Sequence, residues 1–163
     1  MKKLTKQQLL HSTQFCILFI IAGLAISGIT AFPIESELTY FNNHLGWFLQ
    51  FLQSWLHIIY KGISQTNLSY PFLSYGTDWL AFAHLMLAVL FIGPLINPVK
   101  NIWVIQFGLV ACLFIIPLAF IAGSIRQIPF FWQLIDCSFG IVSSLPLGIA
   151  YFNIRKLERH QFN

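Results

Sequence analysis

The sequence predicts an all-α, polytopic membrane protein: a four-helix transmembrane bundle with an additional interfacial amphipathic helix between spans one and two. Composition is the first reason. Hydrophobic residues fill 57% of the 163 positions and charged residues only 9%, whereas about a quarter of a soluble domain is charged. The second is that the apolar residues gather into four runs, each close to the ~20 residues that a helix needs to cross the hydrocarbon core. The third is that the charges stand mainly at the ends of those runs. The formal charge of +4 therefore speaks for topology and not for nucleic-acid binding. A chain of this size forms a single transmembrane domain, 1–163, packed helix on helix without the water exclusion that drives a soluble core.

The first span covers about 13–33. A short basic tail with Lys2, Lys3 and Lys6 precedes it, as in a signal peptide, but the run exceeds the usual ~7–15-residue signal core and lacks a small-residue cleavage site. It is expected to be retained. Gly23, Ser27 and Ala31 recur at every fourth position and offer a ridge for close helix approach.

The segment of about 40–61 is apolar but two-sided. On a helix, Leu45, Phe48, Leu49, Leu52, Leu56 and Ile59 share one face, and Asn43, Gln50, Ser54, His57 and Lys61 the other. Trp47, Trp55 and Tyr60 suit the membrane interface, so the helix is expected to lie on the outer side. Crossing the membrane as a fifth span is the alternative. Residues 62–78 are rich in turn formers and are expected to be a polar loop. Asn67-Leu-Ser69 matches the glycosylation acceptor pattern, which has force only in a secretory context.

Span two covers about 79–96 and is bent or ended by Gly93-Pro94. The link Asn97–Asn101 is so short that span three, 102–122, should return beside span two as a tight hairpin. Span four covers 129–152. Pro117 and Pro146 lie inside spans three and four, where each removes a backbone donor and should kink its helix. With four spans the termini share a side. That side carries Lys2, Lys3, Lys6, Lys100, Arg155, Lys156 and Arg159, against Lys61 and Arg126 opposite, which predicts both termini in the cytoplasm. The expected location is a multi-pass position in a cell membrane, with a bacterial inner membrane favoured.

Within this topology two ionisable residues fall inside spans. His84 lies six residues beyond Asp78, and Asp136 seven beyond Pro129. At ~1.5 Å per helical residue both sit roughly 9–10 Å inside the outer boundary. A carboxylate in a span is costly and marks a functional site by default. A His84–Asp136 contact would relieve both groups. Gln133 stands one turn from Asp136, and His57 and Asp78 complete an expected ligand-binding cluster. Divalent metal is a chemically reasonable cofactor, held by His57, His84, Asp136 and one of Glu35, Glu37 or Asp78. The competing structural reading is that polar residues act as glue between spans, that His57 is merely solvated, and that Glu35, Glu37 and Arg126 are surface charges worth little. Gly140, Ser144 and Gly148 read as a packing ridge.

Catalytic signatures are missing. Cys16, Cys112 and Cys137 are widely spaced with no Cys-x-x-Cys, which argues against disulfide exchange. A haem-carrying bundle would want paired histidines at matched depth. No phosphate-cradling loop, zinc-protease helix or nucleophile elbow occurs. The leading expectation is a non-enzymatic subunit or accessory protein that binds a partner or small ligand through an outer-facing polar cluster, in contact with the lipid bilayer and with a protein partner or further copies of itself. The alternatives are a membrane-embedded metal-dependent enzyme or redox subunit using His84 and Asp136, and proton-coupled transport by an oligomer.

Overall fold

In the computed structural model, residues 5–44 and 50–159 are described, the side chains of 41–44, 50 and 51 excepted. All regular structure among them is helical: α1 (Lys6–Ala31), α2 (Ile34–His44), α3 (Gln50–Ser69), a 3₁₀ turn (Pro71–Ser74), α4 (Tyr75–Leu90), α5 (Ile92–Ile96), α6 (Ile102–Ile125) and α7 (Phe130–Arg159). Four helical stretches are long and apolar enough to cross a membrane: Lys6–Ala31, Pro71–Ile96, Ile102–Ile125 and Phe130–Arg159. The expected all-α class and its four apolar helices are therefore present. Parts of the expected 40–61 segment, including Leu45, Trp47, Phe48 and Leu49, lie outside the described residues.

The start of α1 was legible in a motif that the span estimate of 13–33 passed over. Thr5 Oγ1 accepts from the Gln8 amide at 3.3 Å, and Gln8 Oε1 accepts from the Thr5 amide at 2.9 Å. This reciprocal capping box satisfies two donors at the first turn, so the helix begins seven residues before the estimate.

Contacts divide the chain into two compact units, Met1–Ala22 with Ala88–Asn163, and Gly23–Leu87. In the first, α6 and α7 form the closest helix pair. Glycine permits their approach. A Cβ on Gly140 would lie 2.8 Å from the Cys112 carbonyl oxygen, one on Gly123 would lie 2.7 Å from the Gln133 side chain, and one on Gly108 would lie 3.1 Å from Leu147. The partners descend in one helix as they rise in the other, which defines an antiparallel hairpin. The expected hairpin joined 79–96 to 102–122. Within this unit it is α5 that packs on α6, and the tight hairpin is α6–α7. Of the glycines in the ridge expected from Gly140, Ser144 and Gly148, Gly140 meets a neighbouring backbone, while nothing lies within 4 Å of a Cβ on Gly148.

The turn between α6 and α7 closes by a Schellman motif. Ile128 donates its amide to the Gly123 carbonyl at 2.9 Å, and Gln127 to Ser124 at 3.2 Å. Gln127 occupies the left-handed position, with φ of 56°. Gln133, buried, donates Nε2 to the Ile128 carbonyl at 2.8 Å and seals the turn.

At the other end of this unit, Leu9, Thr13, Cys16, Ile17 and Ile20 form a buried stripe on α1, and Ala150, Ile154 and Leu157 one on α7. The Thr13 hydroxyl is satisfied by the Leu9 carbonyl at 2.8 Å. Asn153, also buried, donates to Ser12 Oγ at 3.1 Å and ties the end of α7 to the start of α1. The expected break at Gly93-Pro94 is found at Phe91 between α4 and α5. Proline cannot donate to the carbonyl four residues back, which here is that of Leu90.

In the second unit, Gly28 on α1 faces α4: a Cβ there would lie 2.9 Å from the Ala81 carbonyl oxygen and from Leu85. Of the two glycines on this part of α1, Gly28 is the tight one, for a Cβ on Gly23, the first of the Gly23, Ser27, Ala31 series, meets nothing within 4 Å. Phe32-Pro33 turns the chain into α2, where proline suits a helix start because its missing donor would be unpaired anyway. α2 packs on α3, and α3 on the 3₁₀ turn. On α3, Ser54, His57 and Lys61 are exposed, and Leu52, Leu56, Ile59 and Ile63 half-buried.

The expected polar loop 62–78 is helical for most of its length. Glycine inside a helix costs about 1 kcal/mol, too little for Gly62 to stop α3. Pro71 stops it. The residue before a proline is pushed out of the α region, and Tyr70 stands at φ −143°, ψ 62°.

Candidate functional site

In the second unit several polar groups meet at one place, and each arrives there for a local reason. The Phe32-Pro33 turn sets Glu35 in the first turn of α2, where a carboxylate favours the positive end of the helix dipole. The last turn of α3 presents Asn67, Pro71 folds the chain so that Ser74 faces it, and the first turn of α4 supplies Thr77 and Asp78. Together they line a cleft of about 230 Å³. A neighbouring hollow of about 180 Å³ shares Ile34, Ser74 and Thr77 and is floored by Ile63 and Leu73.

Hydrogen bonds give the cleft a direction. Asn67 Nδ2 donates to Glu35 Oε2 at 2.6 Å. A carboxylate accepts only, so the Asn67 amide is oriented and its Oδ1 faces the other way. That oxygen accepts from the Ser74 hydroxyl. Donors therefore point from Ser74 through Asn67 towards Glu35, whose carboxylate has a second oxygen able to accept from another donor. Asp78 lines the same cleft and is exposed. Two carboxylates in one recess suit a group that brings N–H donors or positive charge. Among the described residues no histidine or cysteine lines the cleft.

The other expected site residues are placed as follows. His57 is exposed on α3, ten residues before Asn67 and so ~15 Å along the helix at 1.5 Å per residue. Glu37 is half-buried on α2 and does not line the cleft. His84, on α4, is half-buried, with Nδ1 bonded to the Leu80 carbonyl of its own helix at 2.8 Å. A carbonyl oxygen cannot donate, so Nδ1 is the donor in this contact.

Asp136 and Gln133 belong to the first unit, whereas His84, His57, Glu35, Glu37 and Asp78 belong to the second. Asp136 is half-buried on α7. Gln133, expected as a ligand group beside it, spends its amide on the Ile128 carbonyl and packs on Gly123. Within the second unit His57, His84, Glu35 and Glu37 do not come together: among the described residues no three His, Cys, Asp or Glu side chains converge to hold an ion. An exposed His57 and a His84 tied to its own helix account for part of this.

Sequence reasoning passed over Asn67, Ser74 and Thr77 because they stood in an expected loop. Tyr70-Pro71 was the available signal, since an X-Pro step between two polar clusters folds one onto the other. Comparison of this chain with protein-family models, with curated proteins and with solved structures finds no match.

Proposed function

We propose that this chain is a small integral membrane component, non-enzymatic, which binds a partner or small ligand through a polar cluster on the outer side of the membrane. Its four apolar helices cross a cell membrane with both termini in the cytoplasm, following the excess of Lys and Arg on that side. In that topology the turn after α1 and the start of α4 are both outside, and so is the cleft between Glu35, Asn67, Ser74 and Asp78. The oriented Ser74–Asn67–Glu35 chain is the observation that carries the reading. The Glu35 carboxylate, together with Asp78, would take an ammonium, guanidinium or amide group presented from outside.

Native mass spectrometry of protein extracted in mild detergent tests this. A bound small molecule or second chain is expected, lost in the Glu35→Gln, Asp78→Asn double variant while the fold persists by circular dichroism. Retention of the bound species in that variant would remove the cleft as the site. Stoichiometric metal, lost on His84→Ala, would instead support the metal-dependent alternative.

A further inference from the structure

The 3₁₀ turn and the first turns of α4 divide their side chains sharply. Asn67, Ser74, Thr77 and Asp78 line the cleft. Leu68, Tyr70, Phe72, Tyr75 and Trp79 point away from it, with Leu68 85% and Phe72 70% exposed. The rings fall into two groups: Tyr70 and Phe72 lie edge to face at 6.2 Å, and Trp79 meets Tyr75 and Phe82 edge to face, each at 5.9 Å. Leu80 and Met86 are exposed as well, on the same apolar stretch Pro71–Ile96.

Left in water, such a ridge would forfeit ~25 cal/mol for each Å² of apolar surface. Tyr and Trp join an apolar body to a polar tip and favour the headgroup zone of a bilayer. We propose that the ridge Leu68–Trp79 is seated in the headgroup–acyl boundary and sets the depth of the helix that follows. This rests on the membrane reading above and extends it: the segment expected as a water-exposed loop is an anchor. Asp78 is the only charged residue from Leu68 to Phe82, so the anchoring is aromatic and does not depend on anionic lipid.

The test is depth-dependent fluorescence quenching of the full chain in phosphatidylcholine vesicles. Phe72→Trp is introduced with the five native tryptophans replaced by Phe. Quenching by lipid brominated near the carbonyls should exceed quenching by lipid brominated near the chain ends, because an indole favours the interfacial zone. The result should be unchanged when anionic lipid is added. Phe114→Trp in the same background, exposed on α6, is the control and should be quenched best by the deep bromines.

If the control behaves so while Trp at 72 is quenched by aqueous acrylamide alone, or by neither reagent because a protein covers it, the anchor is overturned and the membrane reading stands. Failure of the control overturns both. Should the tryptophan-free background not fold, a nitroxide on Leu68→Cys in otherwise native protein decides, because the three native cysteines are buried. Preference for oxygen over a nickel chelate as relaxant supports the anchor, and the reverse preference overturns it.

Discussion

Asn67 donates a hydrogen bond of 2.6 Å to Glu35 across 32 positions of sequence, and this contact joins the end of α3 to the start of α2. Charge-assisted bonds of this kind contribute about 1.5–3 kcal/mol when sheltered, and less where water competes. Asn67→Ala should therefore lower stability by about 1 kcal/mol. Asn67→Asp should cost more, since it sets a carboxylate against Glu35 and leaves Ser74 as the one donor between them. Thermal unfolding in detergent checks both, and a double-mutant cycle with Glu35→Gln should return a coupling of similar size.

Gly140 and Gly148 are eight residues apart on one helix and should respond to the same substitution with opposite sign. Gly140→Ala drives a methyl against the Cys112 backbone, which cannot move aside, so a loss of about 1–3 kcal/mol is expected. Gly148→Ala enters open space and gains about 0.5–1 kcal/mol of helix propensity. Equal effects at the two positions would show that α6 and α7 do not pack through Gly140.

Gln127 holds a left-handed backbone that costs a residue with a Cβ about 1 kcal/mol. Gln127→Gly should raise stability by about that much, and Gln127→Val should lower it. Gly123→Ala should be harmful for a different reason: its methyl displaces the Gln133 side chain and with it the bond to the Ile128 carbonyl. Unfolding of the three variants in one detergent would separate strain from packing.

Ser12→Ala should leave the buried Asn153 amide short of an acceptor and destabilise by about 0.5–1.5 kcal/mol, the range found for polar contacts between membrane helices. Asn153→Leu in the Ser12→Ala background should recover part of the loss, because removing both partners is cheaper than removing one. No recovery would mean that Asn153 serves something other than Ser12.

The fold class was legible because it depends on quantities that a sequence states directly. Run length and the confinement of charge to run ends settle how many helices are apolar enough to cross a membrane. Thr5-x-x-Gln8 fixes where the first begins, although the apolar run alone pointed seven residues later. Gly62, Asn67 and Ser69 misled, because turn propensity is worth about 1 kcal/mol per residue and packing of α3 on its neighbours outweighs it.

The candidate site was less legible. Its members come from α2, α3, the 3₁₀ turn and α4, and no spacing rule links Glu35 to Asn67. By itself the sequence determined that this protein is helical, where its four apolar helices lie, and which ends carry the charge, since these follow from local hydrophobicity and covalent constraint. Tertiary structure alone decided which glycines meet a neighbouring backbone, that Gln133 closes a turn, and that Glu35, Asn67, Ser74 and Asp78 share a cleft. Such meetings depend on how helices approach through space, and side-chain contacts between distant residues leave no periodicity in the chain to be read.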